Sequence, residues 1–327
     1  MNRVIVSGIQ PSGKLHIGNY LGMLANAVNL QKEYDCYYFV ADMHSLTETY
    51  SLKDKPQQIL DAVIDLLAVG VDPEKSVVFV QSQIPDHAEL AWYFNTITPI
   101  TSLERMTQYK DKSGRQKENI NVGLFDYPVL QAADILLYKP YGVPVGEDQL
   151  QHLELTNDIA KKFNNKFGQT FPTIKPLLTS TPRVMSLLEP AKKMSKSLGE
   201  GHVINISDDA KTIEKKLSKA VTDTGKDKRM SSGVANLFQL LEIFGEPQQH
   251  QFYKEAHQKG EIRYADLKAN LAKVIAHHFS DYREKRAILE KRPEHIRQII
   301  TDGREKARVI ASQTLREVKE KMGLLIS

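Results

Sequence analysis

Three short apolar runs, each separated from the next by a helical pattern, constrain this chain more than any other feature. "RVIVS" (3–7), "CYYFVA" (36–41) and the end of "VDPEKSVVFVQS" (71–82) read as buried strands. The first two are separated by a helix predicted from about Asn19 to Gln31. The second and third are separated by a helix over 54–69 with Ile59, Ala62, Val63, Leu66 and Leu67 at helical spacing. Strand, helix, strand, helix, strand predicts an α/β fold with a Rossmann-like parallel sheet and helices on both faces. "AELAWYFNTI" (88–97) predicts a further helix in which Trp92 and Tyr93 serve packing. A polar loop over 110–123 precedes the helix "LFDYPVLQAADILLYKP" (124–140). "GVPVGEDQLQHLELTNDIAKKF" (142–163) gives a short strand, a tight loop and an amphipathic helix. The sheet pattern ends after "GQTFPTIKPLLTSTP" (168–182), and from Ser207 the chain reads as helical. The expected division is a sheet domain over 1–190, a mobile joint over 191–206 and an all-helical domain over 207–327. The last helix is expected to pack back on the sheet domain.

Composition narrows the class. With 327 residues, 41% hydrophobic and 26% charged, the chain is long enough for two domains with ordinary cores. No run reaches the length of a membrane span, and "MNRVIVSG" lacks the features of a signal peptide. The single cysteine, Cys36, excludes an internal disulfide framework and a multi-cysteine zinc site, which fits a reducing, cytoplasmic setting. The net charge is only +4, but from residue 250 onward 17 Lys and Arg face 11 Asp and Glu. That basic end permits a polyanionic partner.

Parallel sheets of this kind bind ligands beyond the carboxyl ends of their strands, so the residues just after each strand matter most. "GIQPSGKLHIGN" (8–19) follows the first strand. Gly8, Gly13 and Gly18 let the backbone approach a ligand, and Ser7, Gln10, His16 and Asn19 supply polar groups. Gly18 stands near a helix start, where amides favour an anion. The pattern is neither the G-x-G-x-x-G fingerprint nor the phosphate loop ending in GK[ST]; a plain Gly-Pro turn is the alternative. Asp42 and His44 follow the second strand, as a cap and a surface histidine or as groups over a substrate, with no third metal ligand nearby. Tyr127, Gln131 and Asp134 share one helix face. An acid in so apolar a helix needs a donor, either from a small ligand with an N–H or from the protein itself. Glu147, Asp148 and Gln149 offer acceptors at another helix start. Lys192, Lys193 and Lys196 in "AKKMSKSLG" (191–199) form either a solvated face or a cluster for a triphosphate.

Taken together, these segments resemble the class I aminoacyl-tRNA synthetases. "HIGN" (16–19) is similar to the HIGH signature with asparagine in the last place, and "KMSKS" (193–197) matches the second signature. The closest likeness is to the bacterial tryptophanyl branch, carried by "SGIQPSG" (7–13), "LERMTQYKDKS" (103–113), "YPVLQAADILLY" (127–138) and "VPVGEDQLQHLELT" (143–156). "MSLLEPAKKMSKS" (185–197) and "DDAKTIEKKLSKAVTD" (208–223) carry it further. The resemblance implies a pocket for L-tryptophan formed by Val6, Gln10, His44, Gln108, Tyr127, Gln131, Asp134, Ile135, Val143, Val145 and Gln149, with Asp134 on the indole N–H. It implies ATP binding by Gly8, Gln10, His16, Gly18, Asn19, Gly146, Asp148, Lys193, Met194, Lys196 and Ser197. His16, Asn19, Lys112, Lys193 and Lys196 would carry catalysis.

Two departures stand out. Gln131 occupies a place where bacterial tryptophanyl enzymes often have methionine, and "MHSL" (43–46) replaces the more frequent "QHAI". The resemblance further implies Mg²⁺ bridging the triphosphate with few protein ligands, tRNA(Trp) as partner, a homodimer and an anticodon-binding role for the helical domain. The alternatives are tyrosine activation, which Gln131 beside Asp134 favours, another nucleotidyltransferase with the same ATP motifs, and a non-catalytic RNA-binding relative.

Overall fold

The apolar runs become strands β1 (Val4–Ile9), β2 (Asp35–Val40) and β3 (Ser76–Val80), joined by β4 (Gly142–Val145) and β5 (Lys175–Leu178). The computed structural model describes residues 3–107, 121–146, 149–178, 182–223 and 229–326. Among these, the strands form one sheet in the order β3-β2-β1-β4-β5, every neighbouring pair parallel. The expected Rossmann-like α/β architecture is therefore present. β1 pairs with β2 from Val4↔Asp35 to Ile9↔Val40, and with β4 at Ile5↔Gly142. The chain winds outward from β1 to β3, then returns to the other side of β1 for β4 and β5. That reversal places the ligand-binding crevice beyond the carboxyl ends of β1 and β4.

The Lys55–Ala68 helix crosses between β2 and β3 and buries Ala62, Val63, Leu66 and Leu67, with Ile59 half-buried. β5 lies in the last stretch before the sheet pattern was expected to end. Its Lys-Pro-Leu-Leu sequence does not alternate, and Lys175, Pro176 and Leu178 are exposed. A proline is tolerated there because an edge strand need not donate on both sides. The Trp92 expectation is corrected. His87, Leu90, Ala91 and Phe94 form the inward face of the Asp86–Asn95 helix, so Trp92 falls on the other side and is 67% exposed. Tyr93 is half-buried and donates its hydroxyl to Glu89 at 2.6 Å.

The chain forms two compact units: Met1–Gly13, Ala25–Ser180 and Leu289–Ser327 make the first; Lys14–Leu24 and Thr181–Ile288 make the second. The loop after β1 joins the second unit through its backbone. Ile17 N–H donates to Ile204 O, and Ile206 N–H to Leu15 O, both at 2.9 Å. The last helix, Pro293–Lys321, belongs to the first unit because it lies on β3. A Cβ on Gly303 would fall 1.9 Å from the Val78 carbonyl oxygen, so only glycine allows this approach. A helix laid there also covers a sheet edge that would otherwise be open.

The second unit is helical beyond its loops, with helices Ala210–Ser218, Ser232–Phe244, Pro247–Lys259 and Tyr264–His278. Asp209 caps the first of them by accepting from Thr212 N–H at 2.7 Å, and Ser231 caps the second by accepting from Val234 N–H at 3.3 Å. Leu217, Leu237, Leu240, Leu241, Leu267, Leu271 and Ile275 are fully buried. Among the described residues, no helix is long and apolar enough to cross a membrane.

Candidate active site

In the first unit, the polar centre of the apolar core is Asp134, on the Val122–Leu136 helix and 1% exposed. Its Oδ2 meets His44 Nε2 at 2.6 Å. Its Oδ1 accepts from Gln81 Nε2 at 2.7 Å and meets His87 Nδ1 at 2.7 Å. Burial pushes the carboxyl up, but the charge and hydrogen bonds of His44 and His87 outweigh it and hold Asp134 down at about 2. The group is an anion at neutral pH. A carboxylate has about four acceptor directions, and three are taken here.

Of the expected pocket residues, His44 and Asp134 come together directly, and the Tyr127 ring stands edge-on to His44 with centroids 6.3 Å apart. The Tyr127 hydroxyl pairs with His152 Nε2 at 2.9 Å, and burial raises its phenol to about 12, so it stays protonated. Gln131 is half-buried on the same helix face. Val6, Ile135, Val143 and Val145 are all buried within one core cluster, as packing requires. Gln149 is half-buried and its amide donates to Gly146 O at 3.0 Å. Asp42 acts as a tether: its Oδ1 accepts from the amides of Met43 and Ser82. Gln108, Lys112 and Asp148 lie outside the described residues.

Gln81 and His87 were missed. Both are fully buried, and Gln81 follows β3 directly. The rule that singled out Asp42 after β2 would have found it, had it been applied to the third strand. His87 carries a weaker signal, a histidine on the inward face of an otherwise apolar helix. Gly8 has a packing reason besides any ligand, since a Cβ there would come 2.6 Å from the Phe39 ring.

In the second unit, "HIGN" folds on itself. His16 Nδ1 accepts from Gly18 N–H at 3.0 Å, and Asn19 Oδ1 accepts from His16 N–H at 3.1 Å. Glycine at 18 leaves room for the His16 ring, which a Cβ 2.9 Å away would force to shift. The Gly18 amide is therefore bonded within the turn, and Asn19 Oδ1 braces the same turn. These bonds also fix the imidazole tautomer: Nδ1 accepts, so the proton is on Nε2. Burial first, then the positive charges of Lys196 and Lys193, lower His16 to about 4, so the ring is neutral at pH 7.

The lysine run divides. Lys192 pairs with Glu189 at 2.6 Å on an exposed face, the ordinary fate of a surface charge. Lys193 makes no ion pair among the described residues, and it acts with Lys196 on His16. The segment is anchored by Met194, which is 2% exposed and whose amide donates to Val184 O at 3.0 Å. Ser186 N–H donates to Lys192 O at 2.9 Å, so "KMSKS" leaves a short antiparallel pairing. Ser197 is exposed, with its hydroxyl 2.9 Å from that of Ser195. The arrangement presents a neutral N–H donor with two cations near it, which suits a phosphate group.

Comparison with known proteins places the whole chain in a family. Residues 2–280 match the family described as tRNA synthetases class I (W and Y). The tryptophan–tRNA ligase of Caldanaerobacter subterraneus subsp. tengcongensis is 43% identical over 337 residues, covering 100% of this chain and 99% of that protein. The tryptophanyl-tRNA synthetase of Campylobacter jejuni, solved in complex with ADP and tryptophan, superposes with a TM-score of 0.87 at 35% identity, covering 98% of this chain and 100% of that one. The Mycoplasma pneumoniae tryptophanyl-tRNA synthetase gives 0.87 at 34% identity, with 99% of each chain covered. A match across nearly the whole length, over a parallel sheet with these two motifs in place, establishes that this chain belongs to the W and Y family of class I tRNA synthetases.

Proposed function

We propose that this chain activates L-tryptophan with ATP and transfers it to tRNA(Trp). The observation that carries the choice of amino acid is Asp134, a buried anion in an apolar core with one acceptor direction left. A ring N–H satisfies it; a phenylalanine ring leaves it short of a partner, which costs binding energy in a dry site. Tyr127, Gln149 and Gln10 take the ammonium group, while Val6, Gln108, Gln131, Ile135, Val143 and Val145 shape the pocket.

In the first step the tryptophan carboxylate attacks the α-phosphorus of ATP, which enters as its Mg²⁺ complex, and pyrophosphate leaves. The carboxylate is already ionised, so catalysis is placement and charge stabilisation. His16 donates Nε2–H to a phosphoryl oxygen, and Lys193 and Lys196, with Lys112, meet the charge that grows on the leaving group. Gly8, Gly146, Asp148, Met194 and Ser197 complete the nucleotide contacts. In the second step the 2′-hydroxyl of the terminal adenosine of tRNA attacks the adenylate carbonyl, and AMP leaves. The helical domain over 207–327 takes the anticodon.

A homodimer fits the surface of the first unit, where Leu52, Trp92, Ile100 and Val122 are each more than 60% exposed. Exchange of labelled pyrophosphate into ATP tests the reading: tryptophan drives it and tyrosine does not. Gln131 on the same face as Asp134 favours tyrosine as the second reading, and faster exchange with tyrosine would replace the first.

A further inference from the structure

Four polar side chains are buried around Asp134 where an apolar core would cost less to build. Gln81 and His87 are 0% exposed, Tyr138 3% and His44 7%. Unpaired, each would be destabilising, yet they form a continuous chain. The Tyr138 hydroxyl lies 2.9 Å from His87 Nε2, and His87 Nδ1 lies 2.7 Å from Asp134 Oδ1. The His87 ring is wedged between Phe39, Phe79 and Tyr138, with centroids 5.9, 6.1 and 5.6 Å away.

Proton positions follow from donor arithmetic. An ionised carboxylate only accepts, so His87 Nδ1 must carry a proton. Nδ1 donates to Oδ1 in either charge state of the ring: Tyr138 donates to Nε2 of the neutral ring and accepts from Nε2–H of the charged one. Asp134 Oδ1 thus receives two donors, Gln81 and His87, and is saturated. Oδ2 receives only His44. The two oxygens of one carboxylate have been made unequal, and the open direction is at Oδ2.

We propose that His87, braced by Tyr138, is a positioning residue that sets amino-acid specificity: it closes the Oδ1 edge of Asp134 and leaves Oδ2 as the acceptor that a substrate ring must meet with an N–H. This rests on the reading of Asp134 given above. Without His87 the carboxylate loses a donor and its fixed rotation. It then becomes easier to protonate, and a protonated acid no longer demands a donor from the substrate. The groups that bear on this titration are His44 and His87, which face the carboxylate, and Tyr138, on which Asp86 also acts.

The test compares His87→Leu, His87→Gln, Tyr138→Phe and Asp134→Asn with the parent chain in tryptophan-dependent pyrophosphate exchange, with melting curves alongside. His87→Leu is expected to raise KM for tryptophan about tenfold or more, the scale of one lost charged hydrogen bond. KM for ATP stays unchanged, selectivity over phenylalanine falls, and the acid limb of kcat/KM for tryptophan moves upward. His87→Gln restores most of the loss, because an amide can donate to Oδ1. A folded His87→Leu variant with parental KM, selectivity and acid limb would overturn the proposal. If that variant does not fold, Tyr138→Phe decides by the same three readouts. Asp134→Asn separates the two layers. No effect on KM for tryptophan there refutes the reading of Asp134 itself. A large effect there, with none from His87 or Tyr138, refutes only the present inference.

Discussion

At the scale of single residues, the second unit turns on one proton. His16 Nδ1 is committed to the Gly18 amide, so Nε2–H is the ring's donor. The folded value of about 4 lies below the ordinary 6.5. As pH falls from 6.5, the unfolded chain therefore binds the proton first, and the contribution of neutral His16 to stability declines between 6.5 and about 4. The exchange rate should show no loss from His16 until the pH nears that lower value; a limb near 6.5 that vanishes on replacing His16 would contradict it. The neighbouring lysines are expected to behave unequally. Neutralising Lys193 and Lys196 together should slow adenylate formation by about a hundredfold or more, the scale of lost transition-state charge stabilisation. Lys192→Ala, which removes only an exposed pair with Glu189, should change it less than about twofold. Single-turnover adenylate formation measures both. Much of this site was legible in the sequence: Asp134 because an acid in an apolar helix demands a donor, His44 because it follows a strand. The tautomer of His16 was not, since it depends on a backbone amide two residues away. Nor were the two donors on Asp134 Oδ1, which come from residues 47 and 53 positions distant.

At the scale of elements, β1 to β3 declared themselves because their apolar runs are continuous and rich in β-branched or aromatic residues. β5 did not, because an exposed edge strand carries no such run. The helix after "HIG" was expected, but its π-helical stretch at Tyr20–Leu24 was not. Such a turn is a matter of hydrogen-bond register that periodicity over a few residues does not report. The docking of the last helix depends on one missing side chain. Gly303→Ala should destabilise the first unit by about 2 to 4 kcal/mol, in the range of severe overpacking, because its Cβ would meet the Val78 backbone. Urea unfolding of the variant checks this; an unchanged midpoint would mean that the helix is not held there. Asn19→Ala should cost about 1 kcal/mol in the same urea titration, because it removes the N3 half of the capping box whose N-cap is His16.

At the scale of the whole molecule, the two units carry different halves of the chemistry. The first holds the buried carboxylate that the proposed function uses to select the amino acid, and the second holds the donor and cations suited to phosphate. The basic excess beyond residue 250 bears on the third substrate. KM for tRNA in charging should rise steeply with salt while KM for tryptophan in exchange barely moves, because only the former releases counterions from a polyanion. Parallel salt responses would remove the tRNA role assigned to those helices. The most direct measurement is a crystal structure of the chain with tryptophan and a non-hydrolysable ATP analogue. The account predicts Asp134 Oδ2 about 3 Å from the ring nitrogen of tryptophan, with His44, Gln81 and His87 still in place. A ring nitrogen against apolar side chains, with Asp134 bonded only within the protein, would contradict it.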